Sequence, residues 1–243
     1  MVEMQFADFV SEGMTQITNN LAKAHWRWGQ NADVVVRMPT GAGSGAGPFH
    51  SQSNEAWFFK TPGLKIVYPA FPNDAKGLLC AAFEDPDPVI YFEHKNLYRS
   101  LTGPVAEGFF TLPIGKAARL REGDALTVVT YGMGVHWAIE ALDASGIRAD
   151  LIDLRSLLPW DKEAVLESVQ RTGRLLVLHE DTLTGGIGGE IAAVVAEECF
   201  RYLDAPIKRV GAMDTPVPFA HALEDQFLPK ARLRTALAEL AAY

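Results

Sequence analysis

Three consecutive runs, "RADLIDL" at 148–154, "DKEAVLESVQRTG" at 161–173 and "RLLVLHED" at 174–181, read as strand, helix and strand. The two strand runs are apolar almost throughout, which suits strands covered on both faces, and a strand–helix–strand unit returns its second strand parallel to the first. The rhythm continues outward. Upstream stand the strand "ALTVVTYG" and the helix "MGVHWAIEALDASG", and downstream the helix "IGGEIAAVVAEECFRYL", the strand "IKRVGAM" and the closing helix "KARLRTALAELAAY". Alternation of this kind predicts an α/β domain over residues 121–243, a parallel sheet with helices on its faces. Toward the N-terminus the same pattern appears. Phe6, Phe9, Val10, Met14, Ile17 and Leu21 recur at helical spacing, and the strand "DVVVRMP" follows. "SQSNEAWFF" reads as a short helix, "KIVYPA" as a strand, "NDAKGLLCAAFED" as a helix capped by Asn73 or Asp74, and "PVIYFEH" as a strand. Residues 97–120 lose the rhythm and carry Gly103-Pro104, Gly108 and Pro113, so a linker is expected there, with a first domain over 1–110.

Bulk composition narrows the function. The 243 residues are 48% apolar, enough for one large or two modest α/β domains. A formal charge of −8, from Lys+Arg 22 against Asp+Glu 30, argues against nucleic acid as a partner. No apolar run approaches the roughly 18 residues of a membrane span, and no basic-then-apolar leader opens the chain, so no membrane partner is expected. Cys80 and Cys199 sit in apolar helical runs and read as reduced core residues of a soluble intracellular protein.

Two glycine-rich stretches invite a phosphate reading. In "GAGSGAG", Gly41 to Gly47, Ala46 occupies the third glycine position of G-x-G-x-x-G, and no Gly-Lys-Ser/Thr follows. The stretch forms a ramp ending in a single histidine, His50, and serves either as a mobile turn or as a close approach of backbone to a ligand. "GGIGGE", 185–190, opens a helix after a strand; close packing of helix on sheet is favoured over anion binding, because no acidic ribose partner lies at the expected distance. None of the histidines pairs with another at metal-ligand spacing. His136 and His179 read as packing residues, whereas His50, polar-flanked at the end of a glycine loop, can reach a ligand and change charge near neutrality.

The runs "VEMQFADF", "RMPTGAG", "HSQSNEAWFFKTPGLKIVYPAFPNDAKGLLCAAFEDPDPVIYFEHKNLYR", "DLRSLLPWD", "HEDTLTGG" and "DTPVPF" together resemble the beta subunit of the thiamine-diphosphate-dependent 2-oxo acid dehydrogenase E1 components. "LTGG" and "EECFRYLDAPIKRV" lean toward the branched-chain enzyme rather than the pyruvate enzyme. The resemblance implies a thiamine-binding pyrimidine domain followed by a transketolase C-terminal-like domain. It also implies a heterotetramer of two alpha and two beta subunits, located in bacterial cytoplasm or mitochondrial matrix. Thiamine diphosphate then lies between the subunits, its diphosphate gripped through magnesium by the alpha subunit and its aminopyrimidine held by the beta subunit. Residue by residue, Gln5 and Phe9 fall where the family lines the pyrimidine pocket, Phe9 standing in place of a more usual tyrosine. His50 falls on the active-site histidine, at the mouth through which the lipoyl domain of the acyltransferase core arrives, where its proton assists acyl transfer to the lipoyl sulfur. Some members hold a potassium ion through backbone carbonyls. The matching positions are Val34, Val35, Ala82 and Asp85, with a side-chain oxygen from Asp87.

One departure accompanies the match. In the family an upstream segment supplies the first strands and a glutamate that protonates the pyrimidine ring; this sequence begins after it, so the chain as given is expected to turn over no 2-oxo acid, even with an alpha subunit, thiamine diphosphate and magnesium. Two other readings stay open: a non-catalytic assembly module of the same complex, and another transketolase-like thiamine enzyme.

Overall fold

Strands apolar on both faces need cover on both faces, and the chain supplies it by placing helices between them. The computed structural model, which describes residues 1–243, contains two five-stranded sheets. The chain opens with β1 (Val2–Glu3), winds through short turns to α1 (Ala24–Trp28) and enters β2 (Val35–Thr40). The glycine ramp and a single tight turn lead to α2 (Ala56–Phe59), β3 (Lys65–Val67), α3 (Pro72–Glu84), β4 (Val89–His94) and α4 (Leu97–Ser100). An irregular, largely exposed stretch then crosses to β5 (Ala118–Arg121). The second half runs β6 (Leu126–Thr130), α5 (Met133–Ser145), β7 (Ala149–Asp153), β8 (Ser156–Leu158), α6 (Lys162–Thr172), β9 (Leu175–Thr182) and α7 (Gly188–Cys199). It closes with β10 (Lys208–Ala212), α8 (His221–Phe227) and α9 (Lys230–Ala241).

The first sheet has the order β1-β2-β4-β3-β8 and the second β10-β9-β6-β7-β5. Pairing is parallel except at one edge of each: β8 runs antiparallel to β3, with Ile66 opposite Leu158, and β5 antiparallel to β7. Neither β5 nor β8 is legible as a strand in the sequence. Because β8 follows β7, the second half of the chain completes the sheet of the first. The main core cluster crosses the same junction, joining Val36, Met38, Tyr68 and Phe92 to Val129, Ile152 and Val177.

Several local expectations change. The helical spacing from Phe6 to Leu21 becomes broken turns, 3-10 over Ala7–Gly13, π over Gln16–Asn20 and 3-10 over Leu21–Lys23. Thr15, Ile17, Thr18, Asn19 and Asn20 are poor helix formers, and Thr18 Oγ1 donates back to Met14 O at 2.8 Å. Helix α3 begins at Pro72, whose preset φ suits the first helical position, with Phe71 as its cap. Neither Asn73 nor Asp74 caps it: Asn73 Oδ1 accepts from Ala106 N at 3.1 Å, and Asp74 pairs with Arg155. Helix α2 is shorter than "SQSNEAWFF" suggests, because Gln52, Ser53 and Asn54 spend their side chains on tertiary hydrogen bonds. Both cysteines are free; Cys199 is buried as expected, whereas Cys80 is only half-buried on α3.

Arg155 rivets the halves together. It alone among non-glycine residues has a positive φ, 57°, and its guanidinium donates from Nε to Asp74 Oδ2 at 2.8 Å and from Nη2 to Asp74 Oδ1 at 2.9 Å. Its carbonyl accepts from Tyr68 N at 2.7 Å. Removing the guanidinium strands a buried carboxylate, so Arg155→Ala is expected to lower stability by about 3 kcal/mol. Arg155→Lys, which keeps charge without the fork, should lose less. Urea unfolding midpoints of the three proteins check both expectations.

Candidate active site

The site grows from the C-terminal ends of β2 and β4, where parallel strands leave their last backbone groups open. Gly41, Gly43, Gly45 and Gly47 carry φ values of 98°, 97°, 68° and 69°, all left-handed. Contact disfavours a side chain at all four as well, with a Cβ on Gly43 2.4 Å from Asn96 Nδ2 and one on Gly45 2.8 Å from His221 Cε1. A Cβ on Gly41 would lie 2.2 Å from His94 Nε2, and one on Gly47 2.3 Å from Cε1 of Phe219. The structure gives much of the ramp's backbone partners within the protein. Ala42 N donates to Glu180 Oε1 at 2.6 Å, Gly43 N to Glu224 Oε1 at 2.7 Å and Gly45 N to Glu224 Oε2 at 2.9 Å. On the other side, Lys95 Nζ donates to Gly41 O at 2.7 Å and Asn96 Nδ2 to Ala42 O at 3.0 Å. Thr40 Oγ1 closes the base of the loop on Gln52 O at 2.7 Å.

At the top of the ramp His50 is half-buried, its ring edge-on to Phe6 and Phe9 at centroid distances of 4.8 and 5.5 Å. Phe9 is 41% exposed and Gln5 is exposed beside Phe6, so two of the residues singled out from sequence, His50 and Phe9, meet directly, and the third flanks them. Lys95 Nζ lies 5.5 Å from the Phe6 ring centroid. Beneath, Asp8 Oδ1 accepts from Gln52 N at 3.1 Å and from Gln52 Nε2 at 3.0 Å, tying the Phe6–Phe9 turn to the histidine loop. The result is an open aromatic edge beside an imidazole. It offers an apolar face to a flat ring, and the amides of Ala42, Gly43 and Gly45 on the ramp are occupied by carboxylates.

The five positions matched to potassium lie around the C-terminus of α3 and the start of β2. Val34 O accepts from Val89 N at 3.0 Å. Val35 and Ala82 are buried in the core. The carboxylates of the set face a cation the chain itself provides: Lys65 Nζ stands 2.6 Å from Asp85 Oδ1 and 3.1 Å from Asp87 Oδ2. Among the other histidines, His136 Nε2 bonds to Ala70 O at 2.8 Å and His179 fills the space over Gly186 and Gly188, so both pack as the sequence suggests. Burial pushes the His179 imidazole down to about 4. The "GGIGGE" stretch therefore holds a side chain close.

Charge concentrates below the loop, at the junction of the halves. Glu180 Oε2 meets His94 Nε2 at 2.7 Å, and Ser53 Oγ donates to Glu180 Oε1 at 3.1 Å. Burial pushes the Glu180 carboxyl up, but His94 and these hydrogen bonds outweigh it and hold it below the ordinary carboxylate range. Glu55 and Asp181 have no such partner. Glu55 accepts from Tyr131 OH at 2.7 Å, yet burial, reinforced by the charge of Asp181, pushes it up to about 8; burial pushes Asp181 up to about 7. A polar cavity of about 150 Å³ separates Ser51–Asn54 from Asp181 and Thr215. Sequence reasoning assigned no role to Glu55, Lys95, Glu180 or Glu224; the visible signal was an acid ending an otherwise apolar strand at Glu180.

A carboxyl whose pKa rises on folding, from 4.5 to about 8 for Glu55, contributes stability in full below the unfolded value, and that contribution is lost as pH rises through the folded one. Glu55→Gln keeps an oxygen for Tyr131 and cannot ionise. Its melting temperature relative to the parent protein is expected to rise steadily between pH 5 and pH 9, which thermal unfolding across that range checks.

Residues 1–100 match the transketolase pyrimidine binding domain and residues 115–232 the transketolase C-terminal domain. The chain is 46% identical to the 2-oxoisovalerate dehydrogenase subunit beta of Bacillus subtilis (strain 168), over all of this chain and 76% of that one. It is 45% identical to the mitochondrial 2-oxoisovalerate dehydrogenase subunit beta 2 of Arabidopsis thaliana, over 90% of this chain but only 63% of that protein. It is also 45% identical to the beta subunit of the Bacillus subtilis acetoin:2,6-dichlorophenolindophenol oxidoreductase, over 94% and 68% respectively. Among solved structures, an inactive beta4 tetramer of a split-gene transketolase superposes with a TM-score of 0.77 at 26% identity, covering 98% of this chain and 74% of that one. With both domains matched in order and nearly half of its residues shared with such subunits along its whole length, the chain belongs to the family of 2-oxo acid dehydrogenase E1 beta subunits.

Proposed function

We propose that the chain acts as the beta half of an E1 enzyme that decarboxylates a branched-chain 2-oxo acid and passes the acyl unit to lipoyl groups. The observation that carries this reading is the placement of His50 against Phe6 and Phe9 at the end of a braced ramp. Thiamine diphosphate, when bound, supplies the electron sink for carbon–carbon cleavage. The rest belongs to the chain's own residues. The aromatic edge formed by Phe6 and Phe9 offers the aminopyrimidine an apolar wall, and the Gln5 amide offers it a hydrogen bond. His50 presents an imidazole, a group that can hold or give a proton, to the lipoyl sulfur as it arrives.

The diphosphate and its magnesium fall to an alpha subunit in this reading, since the amides of Ala42, Gly43 and Gly45 are already engaged. A second beta chain completes two alpha and two beta subunits, and the lipoyl domain of an acyltransferase core is the acceptor. In this reading a potassium ion is held mainly by the backbone carbonyls of Val34, Val35, Ala82 and Asp85, while the Asp85 and Asp87 carboxylates pair with Lys65. The setting is bacterial cytoplasm or mitochondrial matrix. No helix is long and apolar enough to cross a membrane.

The substrate is tested with the full-length beta subunit assembled with its alpha subunit, thiamine diphosphate and magnesium, by comparing kcat/KM for 3-methyl-2-oxobutanoate, pyruvate and acetoin. The branched-chain acid is expected to lead; a lead for acetoin moves the protein to the acetoin enzymes, and no turnover of any of the three supports an assembly role. In the same complex, His50→Ala is expected to slow reductive acylation of the lipoyl domain by about 10² to 10⁴. Decarboxylation read with an artificial electron acceptor should slow less, and equal losses would remove the proton-transfer role.

A further inference from the structure

We infer that Glu224 is a positioning residue for His50, the anchor through which the second half of the chain sets the path of the histidine loop; the inference rests on the role proposed for His50. Glu224 stands on α8 at 1% exposure, where an ionised carboxylate needs strong partners. Its partners are the ramp. Oε1 takes the Gly43 amide at 2.7 Å and Oε2 the Gly45 amide at 2.9 Å, so one side chain satisfies two successive outward-turned amides of the left-handed glycines. The nearest ionisable neighbour, His221, is 3.5 Å away with its side chain 77% exposed, and no lysine or arginine pairs with Glu224.

The arrangement is two-sided. Carbonyls at the start of the ramp are held by Lys95 and Asn96 of the first half, whereas its amides are held by Glu180 and Glu224 of the second. Beyond Gly45 the backbone has only the Phe219 ring against Gly47 before the turn in which His50 N donates to Gly47 O at 3.3 Å. On the N-terminal side of His50, Glu224 is thus the last hydrogen-bonded anchor to the second half; on its C-terminal side Ser53 reaches Glu180 and Gln52 reaches Asp8. Without Glu224, the stretch from Gly43 to Gly47 has no second-half acceptor, and the imidazole is placed from one side only, by the Gln52 and Ser53 bonds and the edges of Phe6 and Phe9. A displacement of about 1 Å at a reacting group is enough to cost about 10² in rate.

The test uses Glu224→Gln, which keeps shape but turns an NH2 toward one of the two amides, with Glu224→Asp, which keeps charge and shortens reach, as the second variant. Amide hydrogen exchange at Gly43, Gly45 and His50 is read on each protein and needs no activity. Faster exchange at all three, with other core amides unchanged, is expected in both variants. In the complex with the alpha subunit, the ratio of lipoyl-dependent rate to artificial-acceptor rate is expected to fall at least tenfold in Glu224→Gln, with a smaller fall in Glu224→Asp. An unchanged ratio, while His50→Ala lowers it, overturns the positioning role and leaves the proposed function standing. Unchanged exchange at His50 overturns it as well. If His50→Ala itself leaves the ratio unchanged, the reading of His50 fails, and this inference with it.

Discussion

An ionised carboxylate cut off from water must be repaid at close range, and at Glu180 that requirement organises the centre of the molecule. His94 from the end of β4 supplies an imidazole, Ala42 an amide and Ser53 a hydroxyl. Each comes from the first half of the chain, while Glu180 comes from β9 in the second. The halves therefore cannot separate without breaking the hydrogen bonds of a buried carboxylate, and the loop carrying His50 cannot leave the surface of the second half without losing an acceptor. The shared apolar cluster and the docking of β8 beside β3 hold the same junction by different means.

Around that compensated charge sit two acids without compensation. Glu55 and Asp181 lie in the same low-dielectric region and interact with Glu180, so ionising all three at once is costly. The protein answers by keeping Glu55 protonated at neutrality, with Tyr131 as its hydrogen-bond donor. The junction thus holds one carboxylate well and leaves its neighbours protonated more readily. Its polarity also explains why "HSQSN" stays extended: Gln52, Ser53 and Asn54 face acceptors across the junction and in the Phe6–Phe9 turn, and a helix there would turn them away.

The glycine ramp shows how one backbone pattern admits different partners. Alternate left-handed glycines turn their amides outward to make an anion-binding concavity, the same physics that elsewhere cradles phosphate. Here Glu180 and Glu224 occupy it. The loop becomes a braced arm that brings His50 against Phe6 and Phe9.

What the sequence determined by itself is whatever depends on neighbours along the chain. Periodicity set the strands β6, β7, β9 and β10 and the helices α5, α6 and α7 close to where they lie, and a contiguous motif around His50 marked the family and the histidine. Tertiary structure alone decided the rest. Glu224 lies 181 positions from Gly43, Glu180 lies 138 from Ala42 and Arg155 lies 81 from Asp74. No local pattern encodes such pairs, because a buried carboxylate and an exposed one are the same letter until the chain closes around them. The short edge strands β5 and β8 follow the same rule: too brief to show a period, they become strands only because an open sheet edge awaits them.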